Sequence, residues 1–461
     1  MTDSNTITLQ SGDNQFLHPW EDVDNLGKHH RTVVTEGDGV YITDSDGNRL
    51  LDGPAGMWCI NIGHRRKEMA DAVSRQIMAL TYVSPWSLTN APAVELAQKL
   101  AQLSPGDLNH AFFTTGGSTA VDSALRFIMF RNNVLGNPEK KHVISRNNAY
   151  HGSTFLAASA SGKARDKSYL DTKTDTFHHI SDPNILDKPA DMDDDAWLGL
   201  KVAEFENKIL EVGPDKVAAF IAEPVLASGG VLLAPDGYHA ACLEVCRKFD
   251  IIYISDEVVT AFGRLGHYFS SQAVFGIQPD IITCAKGITS GYVPLGAFLV
   301  SDRLIDDIQK AESGACFSNG FTYSGHPVAC AAALKNLEIM EREGILEHVR
   351  EVAPYFQQQL QTLRELPVVA DVRGIGLMAC VECNINRSGE RELSLDHEIG
   401  KRIDEHCQRL GLRVRPIVNM CVMSPPLIIS REQIDELVDK LRRGIELAMS
   451  DIERDGIWKE G

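Results

Sequence analysis

The chain lacks several features that would settle its class at once. Positive charge is short: 63 Asp and Glu outnumber 45 Lys and Arg, a formal net charge of −18. Nucleic acids and anionic membrane surfaces are bound by clustered cations, so neither is an expected partner. No stretch approaches the roughly 20 apolar residues that cross a bilayer. The segment Met1–Gly12 is polar and has no basic start followed by an apolar run, so no secretory signal is expected. Cysteine forms no spaced framework. The ten residues are scattered, Cys242, Cys246, Cys330 and Cys407 among them, through apparent helices and strands, which suits a reducing cytoplasm. Cys380-Val381-Glu382-Cys383 is formally C-x-x-C, but it has no second pair and no histidine at metal spacing, so no metal is expected.

What is present is the composition of an ordinary globular protein, 43% hydrophobic and 23% charged. At 461 residues it is long enough for two domains. The pattern predicts an opening helix from Phe16 to about Lys28. A small antiparallel sheet follows over Val33–Asp52, with turns at Gly37-Asp38-Gly39 and Asp46-Gly47-Asn48. Helical periodicity covers Glu68–Ala79, Ala93–Leu103, Val121–Arg131, Leu198–Glu211 and Tyr238–Phe249. Between these helices lie short apolar runs: Ala111–Thr115, His142–Ser145, Val217–Ala222, Ile251–Ser255, the run ending at Lys286, and Pro294–Val300. Strand and helix alternating in this way call for a mainly parallel sheet with right-handed crossovers. The polar, aspartate-rich stretch from Asp171 to Lys201 reads as a solvated excursion.

Beyond Pro327 come long helices, Val328–Arg342 and Ile345–Leu366, and then an α+β region. There, Gly374-Ile375-Gly376-Leu377-Met378-Ala379 mimics a dinucleotide fingerprint, but a strand pattern follows it, so a hairpin is expected. Leu412–Pro416 alternates as one strand, with Arg413 and Arg415 on the same face. The expected division is 1–60 and 328–461 for a small domain built from both termini, and 61–327 for a large one.

Two strand ends carry the chemistry. Ile281-Ile282-Thr283-Cys284-Ala285-Lys286-Gly287 is an apolar strand running into a lysine and a glycine turn, and Ile251–Ser255 runs into Asp256-Glu257-Val258. A lone lysine there would commonly snorkel. A lone aspartate would commonly cap a turn. On adjacent parallel strands, however, the two share the carboxyl rim, where open α/β sheets bind ligands. A desolvated amine is a nucleophile towards carbonyl carbon, and an aspartate can bond a protonated pyridine nitrogen. That pair suits pyridoxal 5′-phosphate. Gly116-Gly117-Ser118 between a strand and a helix is a ready anion site or, equally, a helix cap. Tyr150, past another strand end, can stack on a flat ring. Arg415 suits bidentate capture of a carboxylate, with a surface ion pair as the alternative.

Taken together, Asp256-Glu257-Val258, Ala285-Lys286-Gly287, Phe321–Pro327 and Gly117-Ser118 resemble the class III pyridoxal-phosphate aminotransferases, in particular the amine or ω-amino-acid:pyruvate (omega-transaminase) branch. The resemblance runs from about Trp20 to Arg431. It implies a fold type I transferase and a ping-pong transfer of an amino group to pyruvate, giving alanine. It gives Lys286 and Asp256 the catalytic roles, with Gly117, Ser118, Tyr150, His151, Gly152 and Val258 around the cofactor. Thr322 is implied as a phosphate ligand donated across a homodimer interface, and Trp58 as a wall of the substrate pocket. Trp86 lines the same pocket, with the partner subunit as one source of it. Arg415 is implied to bind the substrate carboxylate, and Glu223 to pair with that arginine when no carboxylate is present. Where the family more often has glutamate, this chain has Thr119. Racemase, aminomutase or decarboxylase chemistry would use the same lysine and aspartate, and a non-catalytic binding protein is the more distant alternative.

Overall fold

The structure is a computed structural model that describes residues 12–28, 31–385 and 393–457. All of Met1–Gly12 except Gly12 therefore lies outside the described residues. Three strands form the N-terminal meander: β1 (Val34–Asp38), β2 (Tyr41–Asp44) and β3 (Arg49–Asp52). The glycine turns fall where the sequence puts them. The opening helix does not form. Within that stretch only a short 3-10 turn, Val23–Asn25, occurs, and another, Asp13–Gln15, ends just before it. The cause is local. Pro19 removes a donor, Trp20 sits at φ 57, and the Asp22 side chain accepts from the Asp24 amide, which starts a new turn.

The central sheet has seven strands: β4 (His110–Thr114), β5 (His142–Arg146), β6 (Phe177–Ile180), β7 (Val217–Ala222), β8 (Ile252–Asp256), β9 (Ile281–Cys284) and β10 (Gly296–Val300). Their spatial order is β4-β10-β9-β8-β7-β5-β6. Neighbours pair in parallel from β9 to β6, and β10 alone runs antiparallel between β9 and β4. Every residue of β7, β8, β9 and β10 is buried, as expected for strands covered on both faces by crossover helices. The sequence pattern missed β6. Only its ends, Phe177 and Ile180, are buried, so this four-residue edge strand shows neither alternation nor an apolar run.

The antiparallel hairpin of β11 (Val369–Ile375) and β12 (Met378–Cys383) turns at Gly376, φ 60, so the apparent dinucleotide fingerprint is a hairpin. The expected single strand Leu412–Pro416 is two strands. Leu412–Arg413, β13, pairs in parallel with β3 in the N-terminal sheet. Arg415–Ile417, β14, pairs with β15 (Met420–Met423) in the sheet of β11 and β12. Buried Val414 is where the chain passes from one sheet to the other, which separates Arg413 from Arg415. All ten cysteines are free thiols. Among the described residues no helix is long and apolar enough to cross a membrane, and no cluster of three metal-ligating side chains occurs.

Candidate active site

Because β4, β5, β7, β8 and β9 run the same way, their carboxyl ends converge on one rim. A cavity of about 1030 Å³ opens there. The ends of the five strands and the segments just past them reach it: Gly117 and Ser118, Tyr150 to Gly152, Glu223, Asp256 and Val258, and Lys286. The sheet topology thus assembles what the sequence scatters over 170 positions.

Lys286 does not end its strand, as the sequence suggested. β9 stops at Cys284, and the lysine opens a 3-10 turn, Lys286–Thr289, with φ 45. The turn is clamped from three sides. Asn336 donates from Nδ2 to the carbonyls of Gly287 and Ile288 at 2.9 and 3.0 Å. The Ser290 hydroxyl accepts the amides of Asn61 and Ile62 at 2.7 and 2.9 Å. A side chain on Gly287 would meet Asn61 Nδ2 at 2.4 Å. The surrounding structure therefore holds a left-handed lysine that local preference disfavours. Burial lowers the pKa of its amine, and the charges of Asp256 and Glu223 oppose that shift. Among the described residues the amine has no hydrogen-bond or ion-pair partner.

Asp256 is buried and faces Lys286 from the neighbouring strand, with Asp256 in register with Thr283. Its Oδ1 accepts from Thr283 Oγ1 at 3.0 Å and from the Val258 amide at 3.2 Å. Oδ2 lies 2.6 Å from His151 Nδ1. The buried Nε2 of His151 has no hydrogen-bond partner among the described residues. On the opposite wall, the helix Gly117–Val134 begins without a side-chain cap, leaving its first amides to the cavity. Val258 packs close: a side chain on Gly117 would meet Val258 Cγ1 at 3.0 Å. Gly152, at φ 133, comes so near that a side chain there would lie 2.6 Å from Ser118 Oγ. The Ser118 hydroxyl accepts the Ser153 amide at 3.0 Å. Tyr150 is half-buried, and burial raises the pKa of its phenol.

Trp58, 2% exposed, lines the cavity, as does Arg415, whose buried Nη1 is without a partner among the described residues. Burial pushes the Arg415 pKa down. Glu223 does not pair with it. The Glu223 carboxylate accepts the amides of Tyr150 at 2.9 Å and Ala227 at 3.2 Å, and burial raises its pKa. Those backbone amides are its hydrogen-bond partners, and among the described residues the expected Arg415–Glu223 pair does not occur. Trp86 and Thr322 lie outside the cavity, both exposed on the surface of the single chain. Sequence reasoning missed Trp20, which packs 5.9 Å from Tyr150 and lines the mouth, and the basic residues Lys163 and Arg165. Nothing but the turn signal Ser161-Gly162 marked that last segment.

The donor set fits pyridoxal 5′-phosphate. An uncapped helix start and Ser118 could hold an anion, buried Asp256 could bond a ring nitrogen, and among the described residues the desolvated Lys286 amine is left unpaired. Fold and site together are those of a fold type I pyridoxal-phosphate enzyme. The profile of the family Aminotransferase class-III matches residues 24–445. The chain is 41% identical to the putrescine–pyruvate aminotransferase of Pseudomonas aeruginosa, covering 93% of this chain and 94% of that one. It superposes on an (S)-enantioselective omega-transaminase from Thermomicrobium roseum with a TM-score of 0.91, at 39% identity over 97% and 98% of the two chains. For the omega-transaminase of Pseudomonas jessenii solved in complex with PMP, the TM-score is 0.93 at 32% identity, over 96% and 99%. The chain belongs to the class III aminotransferases, and its cofactor is pyridoxal 5′-phosphate.

Proposed function

We propose that this transaminase takes its amino group from a primary amine or an ω-amino acid and passes it to pyruvate, giving alanine by a ping-pong sequence. The supporting observation is Arg415, a half-buried guanidinium that borders the cavity and, among the described residues, has Nη1 unpartnered and no acid of its own. Its fork geometry suits the carboxylate of a small keto acid. Bound in the cavity, pyridoxal phosphate supplies a ring that takes up the electron pair left when the substrate's carbon–hydrogen bond breaks. The chain's residues do the rest. Lys286 Nζ, whose hold on a proton is weakened by burial, removes and returns that proton. Asp256, oriented by His151 and Thr283, keeps a proton on the ring nitrogen. Tyr150 and Val258 would flank the ring, the helix start at Gly117-Ser118 would receive the phosphate, and Trp58 would bound the substrate.

The active unit we propose is at least a homodimer with shared sites, residing in the reducing cytoplasm that ten free thiols favour. Met78, 85% exposed, Trp86, 80% exposed, Leu88 and Tyr323 are apolar side chains open to solvent in the single chain. The Tyr82 hydroxyl donates to the Thr322 carbonyl at 2.8 Å, tying the two segments together on that face. A second copy covering it would bring Trp86 and Thr322 to the other subunit's cavity. The test is substrate selectivity. Arg415→Ala should raise KM for pyruvate far more than KM for an amine without a carboxylate. Equal effects would remove Arg415 from the site, and no alanine from pyruvate with any donor would turn the reading towards aminomutase, racemase or decarboxylase chemistry.

A further inference from the structure

Five lysine and arginine side chains border the cavity, and two of them have an acid of their own. Arg165 Nε lies 3.2 Å from Asp166 Oδ1, and Lys401 lies 4.0 Å from Glu405. Just behind them, Arg413 is held by Asp404 at 2.5 Å. Besides Lys286, two remain without one among the described residues. One is Arg415. The other is Lys163, half-buried, whose ammonium donates to the Ser228 carbonyl and forms no ion pair. One neutral acceptor leaves two N–H groups and the charge itself unmatched, which is costly away from bulk water. Burial accordingly lowers the Lys163 pKa, and Glu223 and Asp166 oppose the shift from a distance. The position is rigid. A side chain on Gly162 would lie 2.0 Å from the Arg146 carbonyl, so the backbone entering Lys163 is pressed against β5.

Arg415 suffices for a keto acid whose carboxylate adjoins the reacting carbon. In an ω-amino acid, by contrast, the carbon bearing the amine has no carboxylate, and the only anion lies two or more bonds farther out. Resting on the transaminase reading above, we propose that Lys163 is a second anion-binding subsite of the cavity. It receives the distal carboxylate or sulfonate of an ω-amino acid donor while Arg415 serves the acceptor. The Ser228 carbonyl holds the ammonium in place, and the donor's anion supplies the missing counter-charge. A diamine is disfavoured at the same point, because its distal ammonium meets a like charge.

The test uses the holoenzyme with β-alanine, 4-aminobutyrate, putrescine and 1-phenylethylamine as donors and pyruvate as acceptor. Lys163→Met should lower kcat/KM for the two ω-amino acids roughly tenfold or more, mainly through KM, as expected when a charged hydrogen bond is lost. It should leave 1-phenylethylamine within about twofold and improve putrescine. Lys163→Arg, which keeps the charge, should restore most of the loss, and Lys163→Gln replaces the Met variant if that one fails to fold. A uniform drop over all donors would reduce Lys163 to a support for the Ser228 loop and overturn the proposal. So would ω-amino acids that are unaffected, or that the unmodified enzyme never accepts. Alanine formation from 1-phenylethylamine and pyruvate, followed on the same proteins and on Arg415→Ala, tests the acceptor reading separately.

Discussion

His239 links acid sensitivity to the strand end that carries Glu223. Its Nε2 donates to the Pro224 carbonyl at 2.9 Å and its Nδ1 accepts the Tyr253 hydroxyl at 2.9 Å, both inside the core packed on β7 and β8. Burial lowers its pKa from 6.5 to about 3, with the Arg146 charge adding to the effect. The sign follows from proton counting. Below pH 6.5 the unfolded chain binds a proton at this ring and the folded protein does not, so stability is full above that value and is lost as the pH falls towards 3. At pH 5 the difference is RT ln of (1 + 10^1.5)/(1 + 10^−2), about 2 kcal/mol. His239→Asn, which does not titrate there, loses packing at every pH but should escape this term. The measurement is urea unfolding of wild type and variant at pH 7.5 and pH 5, with protein and cofactor concentrations fixed. Wild type should lose about 2 kcal/mol more than the variant between the two pH values. Equal losses would mean that the ring is not neutral in the fold and that burial does not control it.

Lys286→Ala should remove the visible absorption band of the bound cofactor and transamination together, and a protein retaining both would exclude Lys286 as the amine. Gly152→Ala places a side chain 2.6 Å from Ser118 Oγ at a φ of 133. A destabilisation of about 1–3 kcal/mol is expected, together with weaker retention of pyridoxal phosphate because the helix start is displaced. Calorimetry and spectral titration of the apoenzyme would show both effects, and unchanged values would mean that the tight approach is not required. Thr322→Ala should weaken cofactor binding although the residue lies outside the single chain's cavity, and light scattering should give a mass of at least two chains. A fully active monomer would refute the shared-site arrangement.

Much of the fold was legible because the central strands are fully buried. Such strands are near-continuous apolar runs, and Val217–Ala222 and Ile281–Cys284 stand out in any window. The failures fall where local and long-range preferences part. Phe16–Lys28 has helical periodicity, but Pro19 and the Asp22 cap break it. Phe177–Ile180 is an edge strand too short to show a period. Leu412–Pro416 alternates like one strand but serves two sheets, because both β3 and β15 need an edge partner. The Arg415–Glu223 pair was expected from resemblance, and backbone amides of Tyr150 and Ala227 take the carboxylate instead.

By itself, the sequence determined the chemistry on offer: a lysine just past one apolar strand and an aspartate at the end of another, a glycine–serine helix start, and an arginine suited to carboxylates. Those identities depend on short-range order, which the chain carries residue by residue. Only the tertiary structure decided which of them meet, since parallel pairing of β8 and β9 sets Asp256 opposite Thr283 and brings Lys286 to the same rim. It alone also showed that, among the described residues, Lys163 and Arg415 have no acids of their own, because counter-charge and burial are properties of neighbours in space.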